Sequence, residues 1–461
     1  RRRRAGGEDQ SAAEREGAQE RYVEQLFAAA KDGSLLTDEG YKAQVERLFN
    51  DPRSNRALTD FYRDFFRVEH LPEISVQDGP GGGPNILYHS GPNNEEGIHP
   101  YNNLTGGMFS QIKGAMGDEL SNLGMWFTKI APGTYEDMFR SNLHFLGCRD
   151  IYNNGRCWGG GPWSQTTYGI DGNCTDFEDC SDKNWPIDSQ TGWDGVSEPV
   201  TMPEPERAGL ITRMAFLAHD TLQARPVQRG LKIREMLLCD PIPPPENCDV
   251  VKPPVLTGLC EDLDGPTGVS CSDDKMCGEN ETCVGWDKEV KMTVRDKVEE
   301  ITETPNSTCS GCHSTFINGF GHALGRFSSE GRYWDKEHMF SAAKHAGGAF
   351  QYLMDAPENW PVADTQGTAL VNGQFVTVDG AQDLANTLAA SGQLEWCWSR
   401  EYFRFAMGRI EWDADAETIE TLAQTLRDGA TLGDAFKAIA YLPQFKTLYK
   451  PPKAKDAGGE P

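Results

Sequence analysis

The chain has 461 residues, 38% hydrophobic and 25% charged, enough for roughly two to four domains with cores of their own. Seventy acidic residues against 44 basic ones leave a net charge of −26. That excess argues against nucleic acid and anionic membrane surfaces as partners, because both need a basic face, and no apolar run approaches the ~20 residues of a membrane span.

The chain opens on RRRRAGGEDQ without an initiator methionine, so a removed leader or a longer precursor is expected. Residues 1–20 are charged and aperiodic and read as a tail. From Arg21 the pattern turns helical, with Tyr22, Val23, Leu26 and Phe27 on one face. A second helix fits Tyr41–Phe49 and stops at Asp51-Pro52. Ser54 reads as the N-cap of a third over Ala57–Phe66, with Leu58, Phe61, Tyr62 and Phe65 as its apolar stripe. The glycines of DGPGGGPN (Asp78–Asn85) lack the Gly-Lys-Ser/Thr of a phosphate loop and read as a surface loop. Helices resume at Ser110–Ile130 and Tyr135–Phe145.

Residues 146–204 differ in kind, being rich in Gly, Cys, Trp and Asp with little periodicity. Asp171, Asp176 and Asp179 are candidate calcium ligands there, although the spacing is not that of an EF-hand. The alternative is a solvated acidic loop pinned by Cys174 and Cys180. Helices return at Glu206–Thr221 and Arg229–Leu238, followed by a Pro-rich extended run. Cys260–Cys283 holds four cysteines in a short acidic segment and reads as a disulfide-stapled knot without its own core. Thirteen cysteines at these spacings favour disulfides outside the cytoplasm over a zinc ribbon.

Cys309-Ser310-Gly311-Cys312-His313 spells C-x-x-C-H. The spacer lets two thiols reach the two vinyl groups of one haem, and the adjacent imidazole then serves as proximal iron ligand. A redox C-x-x-C would follow a buried strand, but the preceding EEITETPNST is charged and turn-forming. Zinc would want a second C-x-x-C or paired histidines. Beyond the motif, Pro361–Gly380 reads as a β-hairpin, and helices fit Ala381–Ala390, Leu394–Met407, Ala416–Leu426 and Leu432–Ile439.

The stretch NSTCSGCHSTFINGFGHALGRFSSEGRYW resembles the haem module of planctomycete- and myxobacterial-type cytochrome-c-like secreted proteins, multi-domain proteins of unknown function. Lys31–Phe66 resembles their upstream helical module, Arg207–Pro245 the segment before the motif, and Val378–Arg409 with Ala438–Phe445 their C-terminal module. Gly319 stands where that pattern has Pro, His322 replaces an aromatic residue, and Gly325, Arg326 and Ser328 replace Glu, Asn and Asp. The resemblance covers about two thirds of the chain and leaves out the Gly-rich and Cys-rich insertions; with the element reading above, the expected fold is mainly α: helical modules with a cytochrome-c-like haem-binding module, long disulfide-stapled loops and a small β-hairpin. Its parts would be a helical module (1–71), a Gly-rich insertion (72–108), a helical continuation (109–145), the Cys/Gly/Asp-rich insertion (146–204), helices with the stapled segment (205–293), the haem module (294–358), and the hairpin with the C-terminal helices (359–461). Cys239 and Cys397 fall in the two flanking segments and are expected to pair.

The expected cofactor is one covalent haem c on Cys309, Cys312 and His313, with calcium as a second candidate. His219 is the first candidate for the distal iron ligand and His322 the second. Met339, Met354, His338 and His345 lie in a polar segment able to cover the haem, whereas Met407 reads as core. The expected function is single-electron transfer by an exported c-type cytochrome, periplasmic, outer-surface or extracellular, with a redox protein or neighbouring cytochrome subunits as partner. The alternatives are a haem enzyme of peroxidase or oxygenase type and a binding or structural protein braced by haem and disulfides.

Overall fold

The computed structural model describes residues 24–72, 109–144, 151–152, 156–157, 168, 199–203, 207–219, 224–242, 258–262, 265–271, 275, 277–285, 290–303, 308–328, 331–333, 335–337, 339–344, 350–354 and 360–446. The fold is mostly helical, and the described strands form only two- and three-stranded sheets. Asp171, Asp176 and Asp179 lie outside the described residues, as do His338 and His345.

The N-terminal helices are α1 (24–31), α2 (Asp38–Asn50) and α3 (Ser54–Phe65). Thr37 caps α2 by accepting the Gly40 amide, and Asp38 and Glu39 complement the helix N-terminus. Helix α3 buries the expected stripe of Leu58, Phe61, Tyr62 and Phe65, but Ser54 is its first helical residue rather than its cap. The Ser54 hydroxyl donates back to the Asp51 and Phe49 carbonyls, so it closes the preceding turn instead. Helix α4 (Phe109–Met125) runs into a π turn at Trp126–Ile130. Helix α5 (Tyr135–Arg140), held by a Thr134–Asp137 capping box, stops short of the expected Phe145. Leu143–His144 (β1) leaves it as a strand and pairs with Val200–Thr201 (β4), while β2 (Ile151–Tyr152) pairs with β3 (Arg156–Cys157).

The expected helix over 206–221 reduces to a 3-10 turn at Gly209–Thr212 and one short helix, α6 (Met214–Leu217). Gly209 has φ +67, and a Cβ there would lie 2.1 Å from the Phe139 carbonyl, so the backbone crosses α5 too closely for a regular helix. Buried Arg207 and Arg213 hold this irregular segment through backbone carbonyls, Arg207 through Thr212 and Gly331, Arg213 through Ser141 and Leu143. Helix α7 (Pro226–Lys232), with Pro at its first turn, continues through a π turn at Ile233–Leu237.

The stapled segment is a three-stranded sheet, β6–β5–β7 (Gly265–Cys271, Gly258–Asp262, Thr282–Gly285), a regular element that composition alone did not reveal. Cys260–Cys277 and Cys271–Cys283 staple it as expected. Strand β8 (Val290–Thr293) pairs with β9 (Met339–Lys344), and β9 with β10 (Phe350–Met354). Met339 and Met354 therefore sit in strands. Helix α8 (Val294–Thr302) starts at a Thr293–Asp296 capping box. The expected hairpin is β11 (Gln366–Val371) and β12 (Gln374–Asp379), turned by Asn372-Gly373 with both φ positive, the pattern that matches strand twist.

The C-terminal helices are α11 (Gly380–Ala390), α12 (Gln393–Met407), α13 (Ala416–Arg427) and α14 (Leu432–Ala438). The two ends of the chain share one core: Phe61 lies edge-on to Trp398, Tyr402 and Phe436, with ring centroids 5.2–5.4 Å apart. Tyr41 donates to the Ala440 carbonyl and Lys437 pairs with Glu46. Cys239 and Cys397 form the expected disulfide, with Cα atoms 5.2 Å apart. It fastens the end of the α7 π turn to the buried face of α12.

Candidate functional site

The C-x-x-C-H residues lie on one interrupted helix: α9 (Thr308–Cys312), a π turn (His313–Ile317) and α10 (Asn318–His322). Spacings of three and four place Cys309, Cys312 and His313 on one face. Gly311 falls on the opposite side, where an added Cβ would meet nothing within 4 Å. Among the described residues Cys309 and Cys312 are the free thiols; Cys309 is exposed and Cys312 half-buried. Every other described cysteine with placed side chain is in a disulfide. A thiol pair kept apart from the disulfides, open to solvent and next to a half-buried imidazole, fits covalent haem attachment.

The helix is seated by close backbone contacts. A Cβ on Gly319 would lie 1.8 Å from the Thr368 carbonyl of β11, and one on Gly321 2.1 Å from the Pro226 carbonyl of α7. From the other side, a Cβ on Gly230 of α7 would lie 2.2 Å from the Ile317 carbonyl. Buried Arg229 collects the carbonyls of Leu324 and Phe327 at 3.0 and 2.8 Å, and that of Ser328. Arg234 bonds the Leu370 carbonyl and lies over Phe316. Residues after the motif thus serve as anchors, and the thiol face stays free.

Around His313 the bonding is specific. Its Nδ1 lies 3.4 Å from Asn318 Oδ1. Asn318 is buried, and its amide nitrogen donates to Thr302 Oγ1 (2.9 Å) and Glu303 Oε1 (2.7 Å) at the end of α8. Sequence reasoning placed Asn318 within the motif but assigned it no role; its spacing of five from His313 is not a contact distance on a regular α-helix.

His219 and His322 are both buried, and the Nε2 of each has no hydrogen-bond partner. Burial, reinforced by Lys232, Arg229 and Arg225, pushes His219 down to about 2, so it is neutral. It follows α6 and borders α7, whose Gly230 touches the motif helix. His322 ends that helix with Nδ1 3.9 Å from Glu299 Oε1, and burial with Arg295 nearby pushes it down to about 4. Neutral imidazoles with an unused nitrogen are the chemistry a metal ligand requires. Met407 is partly buried against the main core.

Glu337 was not anticipated. It lines a small cleft with Pro226, Val294, Phe327 and Ser328, and accepts the Arg295 amide at 2.7 Å. Burial pushes its carboxyl up to about 7. Elsewhere in the core, Glu119 is fully enclosed by Arg213 (2.6 Å), Tyr168 (2.8 Å) and His144 (3.0 Å). Burial alone would raise its pKa, but Arg213 and His144 outweigh that and hold it at about 2. Such an enclosed, fully engaged carboxylate is structural.

Two stretches match known families. Residues 23–80 match a protein of unknown function (DUF1592) and residues 376–445 a protein of unknown function (DUF1585). Both families are typical of bacterial, planctomycete-type cytochrome-c-like proteins. The matches cover the N-terminal and C-terminal helical modules, which share the aromatic core described above; the C-x-x-C-H helix lies between them. No curated protein and no solved structure matches the chain.

Proposed function

We propose that this chain is an exported monohaem c-type cytochrome that transfers single electrons as a subunit of an envelope or extracellular assembly. The observation that carries the reading is the open helical face bearing two free thiols and an imidazole whose Nδ1 is already engaged. The matches to families typical of cytochrome-c-like proteins support it.

Haem would supply the Fe3+/Fe2+ couple. The thiols of Cys309 and Cys312 would each add across one vinyl group: a C–S bond forms, the thiol hydrogen goes to the neighbouring carbon, and nothing leaves. That addition requires reduced thiols, as this face provides. His313 would offer Nε2 to the iron. The glycine contacts to α7 and β11 hold the helix rigid, which limits reorganisation around a haem that changes charge. A net charge of −26 favours a basic redox partner.

In this reading the iron would be closed rather than open as in a haem enzyme, and His219 and His322, whose buried Nε2 atoms have no hydrogen-bond partner, would be the candidates for the sixth ligand. The deciding experiment is haem staining after denaturing electrophoresis, then visible spectra of ferric and ferrous protein with and without carbon monoxide. The expected result is a haem band that survives denaturation and vanishes in Cys309→Ala/Cys312→Ala, with a low-spin spectrum indifferent to carbon monoxide. High-spin iron that binds carbon monoxide would sink the simple carrier, and an unstained band would sink covalent attachment.

A further inference from the structure

We propose that Asn318 is a positioning residue that fixes the tautomer of His313 and sets the electron density of its imidazole, with the π turn between them as the enabling device. The proposal rests on the cytochrome reading above and extends it to a residue that does not itself touch the cofactor.

The hydrogen-bond network assigns each atom. Thr302 Oγ1 donates its hydrogen to the Val298 carbonyl at 2.6 Å, so toward Asn318 it can only accept. Glu303 offers a carboxylate oxygen, also an acceptor. Both therefore demand the amide nitrogen of Asn318, which uses its two hydrogens on them. The amide cannot be flipped without facing oxygen with oxygen twice. Oδ1 is thus left facing His313 Nδ1, and an oxygen with only lone pairs requires Nδ1 to carry the proton. Nε2 then presents a lone pair, the form a metal ligand needs.

The backbone explains how residue 318 comes under residue 313. On an α-helix, positions five apart diverge by roughly 140°. A π turn closes its hydrogen bonds from i to i+5 and brings those positions back onto one face, as the bond from the Asn318 amide to the His313 carbonyl does here. The π turn spans His313–Ile317, from the ligand itself to the residue before its partner. Asn318 is itself locked by burial, at 1% exposure, and by two bonds to the end of α8. Its register on the imidazole is therefore a property of the fold rather than of a mobile side chain.

A donor–acceptor bond at Nδ1 gives the ring partial imidazolate character and strengthens its donation to ferric iron. Its loss should raise the reduction potential, and a full negative charge in its place should lower it. A side chain that only stabilised the fold would not produce opposite signs. Asn318→Leu removes the acceptor. For the opposite arm, Asn318→Asp is made in a Glu303→Gln background, so that the Gln amide donates to the new carboxylate and two carboxylates do not meet.

The experiment is potentiometric titration of the purified haem protein. The expected result is a higher potential for Asn318→Leu than for the parent, and a lower potential for Asn318→Asp/Glu303→Gln than for Glu303→Gln alone. Haem staining should be retained in all four proteins. Should Asn318→Leu fail to fold, the paired Asp comparison decides by sign alone. Shifts of the same sign in both arms, or no shift beyond that of Glu303→Gln, overturn the proposal while leaving the cytochrome reading intact. Absence of haem from the unaltered protein overturns the reading and the proposal together.

Discussion

Three glycines on the motif helix make a test in which two effects of known size oppose each other. Replacing a helical glycine by alanine gains about 0.5–1 kcal/mol, because alanine loses less backbone entropy. Gly311 has open space where the methyl would go, so Gly311→Ala should stabilise by about that amount. At Gly319 the same methyl would stand 1.8 Å from the Thr368 carbonyl, 1.2 Å inside the 3.0 Å below which real Cβ contacts essentially do not occur (3.0 − 1.8). The obstacle is backbone of a hydrogen-bonded strand and cannot rotate away. Overpacking costs about 1–3 kcal/mol or more, so the propensity gain is outweighed and Gly319→Ala should lose about 1–2 kcal/mol net or more. Gly321→Ala, 2.1 Å from the Pro226 carbonyl, should behave like Gly319→Ala. Urea midpoints of the three single variants, followed by far-UV circular dichroism, check this. A Gly319→Ala protein as stable as the parent would show that the helix does not seat against β11, and the account of the site would fall.

Opening the Cys239–Cys397 disulfide, by replacing both cysteines with alanine, should cost about 3–5 kcal/mol: the bond spans 158 residues, and loop-closure entropy for so long a loop reaches about 5 kcal/mol before the other staples shorten it. Denaturant midpoints of the oxidised parent and the double variant read the loss. Glu119→Gln should cost about 3–5 kcal/mol at pH 7, because it leaves fully buried Arg213 without its counter-charge. The folded pKa of Glu119 is depressed to about 2. Its contribution is therefore complete above the unfolded value near 4.5 and lost as pH falls toward 2, and the acid limb of a stability–pH curve should flatten in the variant. Glu337 has the opposite sign. Its folded pKa is raised to about 7, so its contribution holds below pH 4.5 and is lost as pH rises through 7. Glu337→Gln should then leave stability near pH 4.5 little changed and raise it at pH 8 by about 2–3 kcal/mol. Equal stability of the two proteins at pH 8 would mean the carboxyl is solvated.

What the sequence disclosed and what it withheld follow how far each interaction shows in a local pattern. The stripe of Leu58, Phe61, Tyr62 and Phe65 was legible because a helix prints its buried face at a local period. The Asn372-Gly373 hairpin was legible because its turn demands particular residues. The pairing of Cys239 with Cys397 was legible from the flanking segments in which the two residues fall. The failures have separate causes. The break of the 206–221 helix depends on the distant Phe139 carbonyl. The strands of the stapled segment pair locally, but their Gly-, Cys- and Asp-containing sequences lack the alternation that marks a strand. The bond between His313 and Asn318 depends on a non-α turn, which helical periodicity does not encode.

Gly319 shows how such a distant partner leaves a trace that becomes readable only in three dimensions. In the pattern this stretch resembles, proline stands at that position, and a proline carries the Cβ that the Thr368 carbonyl forbids here. Across the joint stands Gly367, where a Cβ would lie 2.5 Å from the Gly319 carbonyl. Each glycine makes room for the backbone of the other strand of the contact, and neither would allow the approach alone. The departure at Gly319 is therefore one half of a joint, with Gly367 as the other half. Through it β11 reaches the helix one residue past Asn318. β11 precedes the stretch matched at 376–445 and pairs with β12, where that stretch begins, so the hairpin joins that module to the motif helix through backbone contact at Gly319 and Gly367, with the Arg234 side chain bridging Leu370 and Phe316 beside it.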